Sequence, residues 1–145
     1  DALVEYLLQV QNGDGSWKPP SHRPPLEESA ISCTVLSAAG VLRWSSPERR
    51  EAALAAAEKS RRWLATAPRQ TQEDLVFALW ATSLLGVEAP SRSELLAELQ
   101  DRQQVDGGWG AASDLTSDAY ATGQTLWVLL QTPWPMTVDI RDRAV

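Results

Sequence analysis

The sequence is poor in the residues that most often carry chemistry. Its 145 residues include one cysteine, one histidine, one methionine and one phenylalanine. A single cysteine excludes an internal disulfide, so the redox compartment stays open. Cys33 lies inside an apolar run, where a small core residue is the expected role, and His22 lies in the proline-rich stretch Pro19-Pro20-Ser21-His22-Arg23-Pro24-Pro25, expected to be an exposed, extended loop. Their spacing suits no zinc site, so no metal and no cofactor are expected. A lone imidazole also leaves a nucleophilic triad incomplete unless a group comes from outside. No apolar run approaches the roughly 18 residues that a bilayer span needs. Positive charge is scarce as well: 13 Lys and Arg face 19 Asp and Glu, a net charge of −6, which argues against a nucleic-acid partner. Arg49-Arg50 and Arg61-Arg62 alternate with Glu48, Glu51 and Glu58, the pattern of a solvated helix face. The chain starts at Asp1 without a signal-peptide pattern, so it is expected to be part of a longer chain of unknown compartment.

Tryptophan, by contrast, is abundant, with seven residues, and three of them are evenly spaced. Gln11-Asn12-Gly13-Asp14-Gly15-Ser16-Trp17 returns as Gln103-Gln104-Val105-Asp106-Gly107-Gly108-Trp109, and Trp63 lies midway, which gives a period of 46 residues. Glu27 to Gly40 resembles Glu73 to Gly86 at the same interval, and Asp118 to Gln131 follows the same pattern. The chain therefore divides as a single segment 1–145 into copies 1–46, 47–92 and 93–138, with 139–145 opening a further helix.

Each copy begins with an amphipathic segment: Leu3, Tyr6, Leu7 and Val10, then Ala53, Ala57, Ser60 and Leu64, then Leu95, Leu96 and Leu99. The second segment of each copy is apolar nearly all round, as in 75–81 and 126–130. Thr71 with Asp74 reads as a capping-box start and Gly86 as a stop, so a helix is predicted there rather than a strand. One wet-faced helix followed by one without a wet face implies two layers, the inner one walled by protein or facing an apolar cavity.

Tyr6-Leu7, Gln11, Gly15 and Trp17 match the QW motif of squalene-type cyclases, and Leu99, Gln103, Gly107 and Trp109 match it with Glu98 at the aromatic position. The middle copy keeps Trp63, with Ala57 and Arg61 at the Gln and Gly positions. The chain thus resembles the α/α toroid shared by squalene-type terpene cyclases and protein prenyltransferases, and is most similar to bacterial squalene-cyclase-like repeat proteins. The resemblance implies an all-α half-barrel arc of three helical hairpins. It also implies that Gln11, Gly15, Trp17, Trp63, Gln103, Gly107 and Trp109 are structural, since these motifs lie outside the family's active cavity. Independently, Asp14-Gly15 and Gly107-Gly108 can supply positive φ, the Gln amides can satisfy orphan backbone groups, and each Trp needs a partner for its indole N–H.

The proton-donating Asp-rich motif of the cyclases is not matched. Its nearest counterpart, Asp118 to Gly123, carries Tyr120 where the acid belongs, and the prenyltransferase zinc ligands and the thioester signature of complement-type toroids are absent too. Acidic residues do gather at inner-helix starts: Glu27, Glu28, Glu73, Asp74 and Asp118. They are read either as first-turn carboxylates favoured by the helix dipole or as a ring at one cavity rim. Asp118, Tyr120 and Asp74 are the catalytic candidates; Phe77, Trp80, Tyr120 and Trp127 are the candidates for lining an apolar pocket. The expectation is a domain that binds an isoprenoid or another apolar small molecule, with further repeats in cis or a second copy closing the ring. The alternative is a non-catalytic repeat module that holds a protein partner.

Overall fold

The computed structural model describes residues 2–21, 23, 29–132 and 142–143. These residues form an all-helical chain with no strand element: α1 (Ala2–Val10), α2 (Ala30–Trp44), α3 (Arg50–Leu64), α4 (Gln72–Leu84), α5 (Arg92–Asp101) and α6 (Ala119–Gln131), with a single 3-10 turn Pro47–Arg49 leading into α3. No described helix is long and apolar enough to cross a membrane. Glu27, Glu28, His22 and nearly all of the expected further helix at 139–145 lie outside the described residues.

Local chemistry sets the helix boundaries. Thr71 and Asp74 form a reciprocal capping box at the start of α4, Ser91 and Glu94 form another at α5, and Ser29 and Asp118 cap α2 and α6 through their side chains. Beyond α4, Gly86 adopts φ +70°, and Val87 N–H returns to the Ala81 carbonyl. The caps of the second helices, Ser29, Thr71 and Asp118, lie 42 and 47 residues apart (71 − 29 and 118 − 71), so these helices do not keep one strict interval.

Two layers result. In one, α4 is flanked by α2 and α6; behind it, α1 and α3 pack on α2, and α5 packs on α4. The closest helix pairs are α2 with α3 and α2 with α4, whereas α3 with α4 and α5 with α6 approach far less. Packing units therefore straddle the sequence copies: α2 meets α3 and α4 meets α5, each the first helix of the next copy. The core joins Trp17, Val35 and Ala38 to Leu75, Leu79, Leu95, Leu99, Trp109 and Val128.

Burial agrees with the expected faces of α3 and α5: Ala53, Ala57, Ser60 and Leu64, and likewise Leu95, Leu96 and Leu99, are all buried. The face of α1 differs. Leu3 is 69% exposed, Tyr6 and Val10 are also exposed, and the buried residue is Val4, with Leu7 and Leu8 half-buried beside it. The apolar stripe of α1 is wide, and α2 and α3 cover only one side of it. Of the second segments, 75–81 of α4 is buried except for half-buried Trp80, while Leu84 beyond it and Trp127 and Leu130 of α6 are exposed. Among the described helices, α6 packs chiefly against α4.

Candidate functional site

The two glycine turns are built alike. Gln11 Nε2 donates to the Gly15 carbonyl at 3.1 Å, and Gln103 Nε2 to the Gly107 carbonyl at 2.8 Å. The indole N–H of Trp17 donates to the Leu7 carbonyl and that of Trp109 to the Leu99 carbonyl, both at 2.9 Å. Each ring thereby caps an orphan carbonyl of the helix before it. The backbone N–H groups of Trp17 and Trp109 donate to Thr34 Oγ1 and Thr122 Oγ1, and Ser16 N–H and Gly108 N–H to the carboxylates of Asp14 and Asp106. Gly15 and Gly107 take φ of +97° and +85°. These bonds hold both Asp carboxyls below the ordinary carboxylate range: Ser16 N–H and hydroxyl for Asp14, the Ser117 hydroxyl and Gly108 N–H for Asp106. The first turn also locks onto the next copy, since the Gln11 amide reaches the Ala56 carbonyl at 2.9 Å and Ser60 Oγ donates to the Gly15 carbonyl at 3.0 Å.

Trp63 is different. It sits in the last turn of α3, half-buried, because the helix continues to Leu64 through the positions where the other copies turn. With Arg61 in place of a glycine, nothing there favours positive φ, and the guanidinium instead reaches across to the Leu85 carbonyl at 2.5 Å.

The carboxylates proposed for catalysis are occupied by backbone. Asp74, buried, accepts from Gln70 N–H and Thr71 N–H through one oxygen and from Ser29 Oγ at 2.6 Å through the other. Asp118 accepts from Ala121 N–H at 2.9 Å and Ala111 N–H at 3.1 Å.

The aromatic candidates come together. Phe77 and Trp80 meet edge to face at 5.7 Å, and Trp80 and Trp127, on neighbouring helices, at 4.7 Å and 84°. Trp80 is half-buried and Trp127 is 44% exposed. On α4 the positions Glu73, Phe77, Trp80 and Leu84 share a face, and on α6 Tyr120, Gln124, Trp127 and Gln131 do so at the same i, i+4, i+7, i+11 spacing. Leu36 of α2 is exposed as well, as is Leu84. Glu73, Tyr120 and Gln124 line a water-sized cavity of about 20 Å³ at the helix starts. Gln124 Nε2 donates to the Tyr120 hydroxyl at 3.3 Å. Burial and the negative charges of Glu73 and Asp118 push the phenol's pKa up, against the smaller opposing effect of the Gln124 bond.

Sequence reasoning missed Leu84 and Gln124 as members of this face. Their signal is the i+7 spacing from Phe77 and the i+4 spacing from Tyr120, which becomes readable once the outward side of each helix is known. A cleft of about 470 Å³ lies elsewhere, between the end of α5 and the 110–116 loop, and its walls include Gln72, Arg102 and Gln104. These groups are committed: Gln72 donates to Thr125, Arg102 to Glu98 and the Thr71 carbonyl, and Gln104 to the Leu115 carbonyl. Among the described residues no group of three His, Cys, Asp or Glu side chains is arranged to hold a metal ion. In comparisons with known proteins, no family model, no curated protein and no solved structure matches the chain.

Proposed function

We propose that this chain is a squalene-cyclase-like α/α arc whose inner face binds an isoprenoid-like apolar ligand without protonating it. The observation that carries the reading is the edge-to-face pair of Trp80 and Trp127, the first half-buried and the second 44% exposed. The exposed Trp127 ring, with Leu130 exposed on the same helix, offers apolar surface that loses water on contact with hydrocarbon. The arc itself, with a repeat near 46 residues, is supported by the matching bonds of two turns whose tryptophans stand 92 residues apart (109 − 17). A binding role rather than a catalytic one follows from Asp74 and Asp118, whose oxygens serve as helix caps.

The test is a titration with farnesol and squalene, followed by tryptophan fluorescence and then product analysis. Saturable quenching is expected, weakened by about tenfold in Trp127→Ala, as losing one aromatic contact of about 1.4 kcal/mol implies, with no cyclised product. A cyclised product would overturn the non-catalytic reading, and absence of quenching would overturn the ligand. A second reading, a module for a protein partner, draws on the apolar cleft of about 210 Å³ formed by Leu3, Val4, Leu7, Gly40 and Trp44 on the α1 side. It predicts that Leu3 and Trp44, not Trp127, are the sensitive positions in a binding assay.

A further inference from the structure

Each second helix lies against both helices of the copy that follows it: α2 meets α3 and α4, and α4 meets α5 and α6. Carried one copy back, the same relation puts a helix against α1 and α2, and a groove is open there. Leu3, Val4 and Leu7 of α1 and Gly40 and Trp44 of α2 line an apolar cleft of about 210 Å³, with Leu3 69% and Trp44 68% exposed. Carried one copy forward, the relation leaves α6 with no following pair of helices among the described residues. α6 has a flank suited to that contact. Ala119, Gly123, Leu126 and Leu130 share one face at i, i+4, i+7, i+11 spacing, with Leu126 half-buried and the other three exposed. With the caps Thr71 and Asp118 aligned, Ala119 takes the place of Gln72, whose amide ties α4 to Thr125 of its following copy.

Both faces also hold a glycine inside a helix that the single chain does not use. Gly40 and Gly123 lack positive φ; a Cβ at Gly40 would meet only Leu7 Cδ1 at 4.0 Å, and one at Gly123 nothing within 4 Å. Glycine weakens a helix interior relative to alanine and lets another backbone come close. We propose that the chain associates with a second copy of itself head to tail, α6 of one copy entering the α1–α2 groove of the other. The contact continues between copies the packing that α2 makes on α3 and α4 within one chain. Two such contacts related by a twofold axis close the pair. The proposal does not rest on the ligand reading, since Trp127 lies on the adjoining face of α6, with Tyr120 and Gln124.

The experiment is sedimentation velocity of the whole chain over a concentration series, with a species of twice the single-chain mass expected and dissociating on dilution. Each copy carries a net charge of −6, so added salt should leave the pair intact or tighten it. Gly123→Arg and Gly40→Arg each put a charge on one flank where the single chain leaves space. Circular dichroism should show an unchanged fold, and association should weaken at least about tenfold, since the charge would be buried without a partner. Mixing the two variants is the decisive arm. The unaltered α6 of the Gly40→Arg chain can still enter the unaltered groove of the Gly123→Arg chain, so the mixture should associate more strongly than either variant alone. A single-chain mass at every concentration would overturn the proposal, as would association that salt loosens, that neither variant weakens, or that mixing does not restore. Trp44→Glu and Leu130→Glu, at exposed positions, repeat the same arms if an arginine variant fails to fold. None of these substitutions alters Trp80 or Trp127, so the farnesol titration reports on the ligand reading separately.

Discussion

Two glycine-to-alanine substitutions separate the cost of a backbone conformation from the cost of a contact between copies. Gly86 and Gly15 both hold positive φ, +70° and +97°. A Cβ at Gly86 meets nothing within 4 Å, whereas one at Gly15 would lie 2.5 Å from the carbonyl carbon and oxygen of Lys59 on α3 and 2.9 Å from its Cβ. Gly86→Ala should therefore cost only the left-handed conformation, about 1–2 kcal/mol, partly offset by about 0.4–1 kcal/mol from the lower entropy of the unfolded chain. Gly15→Ala carries the same conformational cost plus overpacking against backbone, about 1–3 kcal/mol more. The turn cannot easily back away, because Gln11 and Ser60 tie it to α3. At about 3 °C per kcal/mol for a chain of this size, the expected fall in Tm is roughly 3 °C for Gly86→Ala and roughly 10 °C for Gly15→Ala. Urea denaturation followed by tryptophan fluorescence and circular dichroism gives the two free energies directly. If the two variants lose the same stability within about 0.5 kcal/mol, the close seating of the first turn on α3 is wrong, and with it the account of how successive copies interlock.

Three other outcomes follow from the same geometry. Trp109, fully buried and bonded to the Leu99 carbonyl, should cost about 3–5 kcal/mol on truncation to Ala, and Trp109→Phe should recover much of this while leaving that carbonyl unpaired; denaturation of both variants checks it, and equal losses would remove burial of the ring from the account. Asp118→Ala should cost about 1 kcal/mol through loss of the α6 cap and Asp118→Asn distinctly less, since an amide oxygen still accepts from Ala121 N–H; equal costs, measured by thermal melts, would argue against capping. Acid should act on the turns in a defined window. The folded-state pKa values of Asp14 and Asp106 are depressed from 3.8, so their contribution is present above that value and is lost as pH falls through the lower, folded values. Stability from this source should thus hold from pH 7 down to about 5 and decline below about 4, with a smaller decline in Asp14→Asn.

Much of the local structure was legible in the chain because it depends on short-range chemistry. Thr71 with Asp74 and Gly86 as a stop require only neighbouring residues, and so do the two glycine turns. The faces of α3 and α5 were readable because each carries a narrow apolar stripe. Trp63 was misleading because spacing alone suggested a third equivalent turn, whereas the residues around it, Ala57 and Arg61, allow the helix to run on. Asp74 and Asp118 could equally have been rim acids or caps, since a carboxylate two or three residues from a helix start serves either purpose until its donors are known.

The sequence by itself determined that the chain is helical, where its caps fall, and that the two glycine turns before Trp17 and Trp109 are built alike. Those features follow from backbone preferences and hydrogen bonds within a few residues. Only the tertiary structure decided which second helix meets which first helix, that the Leu3 and Tyr6 side of α1 stays open, and that Trp80 and Trp127 share one solvent-facing surface. A wide apolar stripe specifies that burial is favourable but not which neighbour provides it, and that choice is made by packing between residues far apart in the chain.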